Sequence, residues 1–474
     1  MPTTEPAAVE AQPSLISADS RPRLPLLHRA VYGLGDFAGG MIWNTTIAYL
    51  AIFYTDTVGI AAGAVGILMV GARVLDAVID PVIGALAERT HSRNGRFRPW
   101  MLYGMFPLAA FSVLVFTAPF SGDSAAAVAW ATLTYMILGI LYSAVNVPYG
   151  ALGAAMAETP ADRTSLSSFR YIGSNAIGIL LGLITVPLIT FFSRSQDGDS
   201  ATAGGYTITL AIFAAVSLPL LYAVFATSRE TITPVRPKQP PIRVTMRAVL
   251  TNRPLMVFLV ATLLIVISYF GRMGVVIYFY EYNVGDSALL PLLMSLPWLA
   301  AMIGTFAFTR FARHLGKRNM LIVSLVVQVL ALVALYLVDP HSTSLVVLFT
   351  ALHGLAGFSM ALLISMIADV IDHGEQQTGI RSDGTIYAVW SFGTKLASAV
   401  SAAGVGLLGL LGYRPNSAQT SEALGGISFV VNLLPALVGV AAILVLLGYK
   451  LTDRDAVNVR NELSSAARAA REAR

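Results

Sequence analysis

About twelve runs of roughly 20 mainly apolar residues follow one another along this 474-residue chain, each long enough to cross the hydrocarbon core of a bilayer as a helix. Backbone polar groups meet no water there, so such a chain folds as a bundle of helices that close their hydrogen bonds within each span. The composition agrees: 12% of the residues are charged, against about 25% in soluble domains, and mean hydropathy is +0.70. The spans fall near 30–55, 62–87, 98–118, 125–156, 168–192, 205–227, 254–282, 287–312, 319–338, 344–370, 383–411 and 427–450. The stretch before Arg23 is polar and rich in Pro, Ala and Ser, without an apolar core followed by a cleavage site, and reads as a cytoplasmic tail rather than a signal peptide.

The net charge of +5 is explained by topology rather than by a nucleic-acid partner. Of the 31 Lys and Arg residues, Arg73, Arg170, Arg272 and Lys395 lie within spans and Arg194 and Arg414 in one set of connections. All the others sit at the termini or in the connections after spans 2, 4, 6, 8 and 10. The positive-inside rule then places both termini in the cytoplasm and the protein in the plasma (inner) membrane. The longest connection, SRETITPVRPKQPPIRVTMRAVLTNR at 228–253, divides the chain into bundles at 28–227 and 254–450, flanked by tails at 1–27 and 451–474. A faint duplication agrees: ERTHSRNGRFRPW (88–100) after span 2 and RFARHLGKRN (310–319) after span 8 are both short basic turns around a Gly. The fold expected is all-α, with two six-helix halves and a site near the midplane between them.

Within span 2, GAVGILMVGARVLDAVIDPVIGALA, Asp76 and Asp80 stand one helical turn apart on one face, with Arg73 three residues before the first. Each mid-bilayer carboxylate costs about 3 kcal/mol on insertion scales, and a coupling cation, H+ or Na+, is the reading that justifies two of them. Sodium wants a cluster of oxygens, whereas a proton needs one carboxylate shielded from water. A salt-bridge network with Arg73 and Lys395 is the alternative the residues leave open.

Several segments together resemble one group of transporters: YGLGDFAGGMIWNTTIAYLAIFYTDTVGI (32–60), ARVLDAVIDPVIG (72–84), SRNGRFRPW (92–100), YSAVNVPYGAL (142–152) and IADVIDHGE (367–375). They resemble the glycoside-pentoside-hexuronide cation symporters, a melibiose-carrier-like family of the major facilitator superfamily, over residues 28–450. The resemblance implies that Asp76 and Asp80 form the cation site, with Ser143 supplying a hydroxyl. It also implies that Asp36 and Arg170 bind the sugar, a role that suits a carboxylate accepting from adjacent hydroxyls and a planar guanidinium donating to them. These two can equally staple helices 1 and 5 by pairing with each other.

Span 4 departs from the family pattern. Asn146 stands where the melibiose-carrying member has a carboxylate shared by the two sites, and Gly150 where it has a stacking Trp. Asn brings no charge and Gly no aromatic platform, which points away from melibiose itself. Tyr149, beside Asn146, is the best aromatic candidate for the sugar; Trp43, Tyr49, Tyr142, Tyr387 and Trp390 are weaker ones. Lys395, with Arg73, matches a charge-balancing role. Asp369, Asp372 and Glu375 at the end of span 10 are expected to face Arg89, Arg93, Arg96 and Arg98 in a cytoplasmic gate. Arg272, Glu281 and His353 receive no role.

Catalysis is not expected. No Cys, H-E-x-x-H, G-x-x-x-x-G-K-[ST] or G-x-S-x-G occurs, which leaves thiolate, zinc-protease, ATP-driven and hydrolase chemistry without its residues. The reading is a secondary transporter with no cofactor beyond the coupling cation, a small-molecule sugar or glycoside as substrate, the lipid bilayer as surroundings and a monomer as the working unit. Two alternatives are transport of an amphiphile such as a lysolipid, and a transporter-like sensor.

Overall fold

The computed structural model describes residues 24–157, 159–193, 201–230, 252–378, 386, 393–397, 399–400, 402–415, 417–453, 455–459, 462 and 465. The first half consists of α1 (Leu26–Ile52), α2 (Ala62–Arg89), α3 (Arg98–Leu114), α4 (Ala125–Met156), α5 (Pro160–Phe192) and α6 (Ala203–Thr227). The second half contains α7 (Arg253–Phe270), α8 (Leu290–Leu315), α9 (Lys317–Leu337), α10 (Thr343–Leu355), α11 (Ser359–Thr378), α12 (Gly404–Leu410), α13 (Ser421–Ser428) and α14 (Leu434–Leu447). Eight helices among the described residues are long and apolar enough to cross a membrane. The all-α, multi-span architecture expected from the sequence is present. Tyr387, Trp390 and the rest of 383–392 except Ile386 lie outside the described residues.

Helix starts follow short polar caps. Ser124, Thr159, Thr202 and Asn252 each accept a hydrogen bond from the backbone N–H three residues on, satisfying a donor that the first turn leaves open. This is why α5 begins at Pro160, about two turns before the apolar run at 168: Thr159 caps, Pro160 takes the first position and Asp162 lies in the first turn. Span 7 is not continuous. It breaks after Phe270 at Gly271-Arg272-Met273-Gly274, resumes as the turn Val276–Tyr278 and ends in a π-helical turn Phe279–Val284. Two glycines within four residues weaken the helix there, and apolarity alone does not reveal it. Span 10 is likewise interrupted, by a tight turn at Ala356–Phe358.

The two halves repeat each other more closely than the basic turns suggest. The π-helical turn FYTDTV (Phe53–Val58) ends α1 on a left-handed Gly59, and FYEYNV (Phe279–Val284) ends span 7 on a left-handed Gly285. The match FYxxxVG was in the sequence, but it falls at span ends, where the apolar scan does not look. The basic turns also correspond. Arg98 donates to the Phe225 carbonyl at the end of α6 at 3.1 and 2.8 Å, and Arg318 donates to Leu446 and Leu447 at the end of α14 at 3.1 and 2.9 Å. A carboxylate completes each: Glu230 accepts from the Arg96 and Phe97 N–H groups, and Asp453 from that of Lys317. Each half thus ties its third helix to the carbonyl end of its last, where a cation is favoured.

The halves meet along two seams, α5 against α8 and α2 against α12. At the end of the bundle remote from the termini, one apolar cluster runs through both halves, with Phe53, Tyr54, Phe116, Tyr278, Phe279 and Val431 among its members. Toward the termini each half keeps a cluster of its own. The remote end is also stitched by polar groups. Asp56 accepts hydrogen bonds from Tyr282 and Tyr413, and the Thr55 and Tyr278 hydroxyls lie 2.9 Å apart. Burial pushes the Tyr413 hydroxyl far above its ordinary pKa, so it remains a donor. Asp56 and Tyr282 occupy equivalent positions of the two FYxxxVG turns, so the pseudo-twofold axis passes close to their contact.

On the α2–α12 seam Gly66 touches Gly406 backbone to backbone; a Cβ on Gly66 would lie 2.6 Å from the Gly406 Cα. No side chain fits without parting the halves. In a Gly66→Leu variant, a single cysteine introduced at Asn44 of this cysteine-free chain should react several-fold faster with an impermeant maleimide added from the side remote from the termini. Unchanged labelling would show that the seam does not close this face.

Candidate functional site

α1, α4 and α5 bring together the first group of charged side chains. Arg170 Nε is 2.6 Å from Asp36 Oδ2 and Arg170 Nη2 is 3.0 Å from Oδ1, a two-point fork. The Tyr149 hydroxyl, 2.8 Å from Asp36 Oδ2 and 2.7 Å from the Tyr32 carbonyl, donates to one of them at a time. Tyr32 returns a bond to the Tyr149 carbonyl at 2.8 Å, and the Arg170 guanidinium lies 4.8 Å from the Tyr149 ring centroid. The Asp36 and Arg170 side chains retain 18% and 33% of their exposure, so the pair faces a space that water enters. Asn146, one turn before Tyr149 on α4, is half-buried. A Cβ on Gly150 would meet only Arg170 Nη1, at 3.9 Å, so the missing aromatic leaves open room beside the guanidinium.

The second group lies where α2 packs on α4. Arg73 Nη1 is 3.3 Å from Asp76 Oδ2, and Nη2 donates to the Tyr135 hydroxyl at 2.8 Å. The same guanidinium stacks 4.6 Å from the Trp43 ring, which in turn stacks on Tyr142 at 4.2 Å. Lys395, from the eleventh span, forms an ion pair with Asp80 and donates to the Asp76 carbonyl at 3.3 Å. Each carboxylate therefore faces one cation, and Asp80 Oδ1 is buried with no hydrogen-bond partner among the described residues. Gly139 makes room for Asp76: a Cβ there would be 2.5 Å from Oδ1. Gly84 faces Val147 in the same parallel register, which sets Ser143 level with Asp80. Tyr135 and Gly139 went unnoticed in the sequence, yet with Ser143 and Asn146 they follow the i, i+4, i+8, i+11 spacing of one helix face.

Among the described residues, Arg96, Arg98 and Asp369 each have a partner within their own half. Arg96 pairs with Glu230 at 3.5 Å and Arg98 serves Phe225, both inside the first half, while Lys317 holds Asp369 at 2.5 Å inside the second. Arg89 at the end of α2 and Arg93 beyond it are exposed, and Asp372 and Glu375 near the end of α11 in the second half are half-buried. Arg272 and His353 line a separate cavity with Asn44 and Trp298, and Glu281 is exposed.

Residues 31–453 match the family described as MFS/sugar transport protein. The chain is 32% identical to the uncharacterized symporter YnaJ of Bacillus subtilis, covering 94% of this chain and 96% of that protein. It is 30% identical to the isoprimeverose transporter of Lactiplantibacillus pentosus, over 95% and 92% of the two chains. In fold it is similar to the nucleoside transporter NupG, with a TM-score of 0.61 at 13% identity over 90% of this chain and 99% of that one.

Removing one member of a half-buried ion pair leaves the other partly stranded. Lys395→Met should lower stability by about 1–3 kcal/mol, and adding Asp80→Asn should recover most of the loss. Thermal unfolding of the two variants in detergent checks this; equal losses in both would mean that the pair contributes nothing.

Proposed function

The chain belongs to the MFS/sugar transport protein family, and on that premise we propose that it is a cation-coupled symporter of a glycoside or related sugar, working by alternating access in the plasma membrane with both termini cytoplasmic. The observation that carries the reading is the pairing of every site carboxylate with a cation: Asp36 with Arg170, Asp76 with Arg73 and Asp80 with Lys395. Pairs of this kind are exchangeable. Sugar hydroxyls can replace the Asp36–Arg170 fork bond for bond, because one partner only accepts and the other only donates. A proton or sodium ion on the Asp76 and Asp80 oxygens, with the Ser143 hydroxyl beside them, can replace the Lys395 ammonium at equal charge.

Coupling follows from the same electrostatics. A carboxylate stripped of its cation is costly in the bundle interior, so the halves rock only with the cation site filled or with Lys395 back in place. Opening the remote end requires Asp56 to release Tyr282 and Tyr413 and the Gly66–Gly406 contact to part. Closing the other end brings Arg89 and Arg93 toward Asp372 and Glu375, with Arg96, Arg98 and Asp369 behind them. The isoprimeverose transporter's name supports a glycoside substrate. The Asp36–Arg170 fork suits a hydroxyl-rich ligand better than the tail of a lysolipid.

The test is proton and sodium flux into proteoliposomes during addition of α- and β-glycosides, pentosides and glucuronides one at a time. One sugar should trigger alkalinisation or sodium entry; silence across the panel from folded protein would overturn the proposal. Asp80→Asn should abolish accumulation against a gradient while sparing downhill exchange. Asp36→Asn should weaken sugar binding by about 10- to 100-fold, the loss expected for hydrogen bonds to a charged group.

A further inference from the structure

A second cavity lies between the halves, about 80 Å³ in volume and lined by Asn44, Gly178, Tyr269, Arg272, Trp298 and His353 among others. It is too small for a whole glycoside, whose pocket needs about 300 Å³ or more, and suits a single substituent. Arg272 occupies the break in span 7 between Phe270 and Val276, where consecutive hydrogen-bonded turns replace regular helix. A discontinuous span whose irregular turn lines a cavity is how transporters of several folds present groups to a ligand.

Arg272 is 3% exposed, and its hydrogen bonds are long and run only to neutral oxygens: the Tyr280 hydroxyl at 3.4 Å from both terminal nitrogens and Asn432 Oδ1 at 3.4 Å. Its Nε, which can only donate, has no partner among the described residues. Arg73, Arg170 and Lys395 each have a carboxylate, and Arg272 has none among the described residues. A buried guanidinium in this condition is costly unless something else supplies the negative charge. The neighbouring open positions have the same polarity. His353, 4% exposed, leaves Nδ1 unpartnered, and the Asn44 and Asn432 side-chain amides each leave an N–H group unused. Four nitrogen sites that can donate, one of them permanently cationic, converge on one small cavity and its wall. Asn44 is eight residues beyond Asp36 on α1, so the cavity lies about 12 Å along that helix from the Asp36–Arg170 pair, roughly the length of a two-ring sugar.

We infer that Arg272 is the seat of an oxyanion carried by the transported sugar, a carboxylate or sulfonate at one end of a glycoside whose hydroxyls engage Asp36 and Arg170. This rests on the symport reading above and narrows its substrate to acidic sugars. The guanidinium supplies the charge, Nε and a terminal nitrogen supply a side-on fork for two oxygens, and His353 and Asn44 supply further donors. The Tyr269 and Trp298 rings that flank the cavity exclude water and strengthen the contact.

The test measures equilibrium binding to the purified full-length protein of methyl β-glucuronide, a methyl β-glucoside sulfonated at C6 and neutral methyl β-glucoside, together with uptake of each by proteoliposomes. At least one anionic sugar should bind about tenfold or more tighter than the neutral one, and the tighter of the two identifies the oxyanion. Arg272→Gln should collapse that preference, while Arg272→Lys should keep part of it because the charge remains and the fork does not. If Arg272→Gln does not fold, the wild-type ratio and its decrease in Arg272→Lys decide. Equal binding of neutral and anionic sugars, or a preference that survives Arg272→Gln, overturns the subsite. Cation-coupled uptake of neutral sugar without such a preference removes the subsite and leaves the symport reading standing; folded protein that binds none of the three removes both.

Discussion

Ion pairing in a medium that cannot solvate charge governs this structure. A carboxylate or guanidinium inside the bundle is costly unless an opposite charge stands against it, and α1, α2, α4, α5 and the eleventh span are placed so that Asp36, Asp76 and Asp80 each meet one. Every such pair joins two helices or adjacent turns of one, so the electrostatic requirement is also a packing requirement. Gly139 illustrates the link: it lies against Asp76 Oδ1 because any larger residue would force the carboxylate away from its place beside Arg73. In the proposed transport site these pairs balance the three carboxylates when no ligand is bound, and ligands would enter it by exchanging partners.

Around these pairs the two halves behave as similar, self-contained units. Arg98 and Arg318 tie the third helix of each half to the end of its last, and the FYxxxVG turns end the first helix of each on a left-handed glycine. Interactions within a half fix its shape, whereas the halves are joined by glycine contacts, the shared apolar cluster and hydroxyl–carboxylate bonds at the remote end, and the Asp80–Lys395 ion pair. This division suits rigid-body rocking, since the Arg98 and Arg318 braces stay within the moving parts. Arg96 and Arg98 show its consequence: read from sequence as members of a gate, they are engaged in this structure in bracing their own half.

What was legible in the sequence is what depends on local chemistry. Spans show as apolar runs, Asp76 and Asp80 show as a pair on one helix face, and the division into halves shows in the basic 228–253 connection. What stayed hidden depends on neighbours distant in sequence. The break at Gly271–Gly274 looks like continuing apolar helix until Arg272 is seen at a cavity wall, and α5 starts two turns early because Thr159 and Pro160 set its first turn.

By itself, the sequence determined that the chain is a membrane bundle, how its charges are distributed between span interiors and connections, and which residues carry carboxylates and guanidinium groups. These follow from the bilayer's refusal of unpaired polar groups, which acts on each segment separately. Only the tertiary structure decided who pairs with whom: Lys395 with Asp80 across more than three hundred residues, Tyr282 with Asp56 across the pseudo-twofold axis, and no carboxylate for Arg272 among the described residues. Partner choice is a matter of a few ångströms between helices, and that distance is set by the packing of the whole bundle.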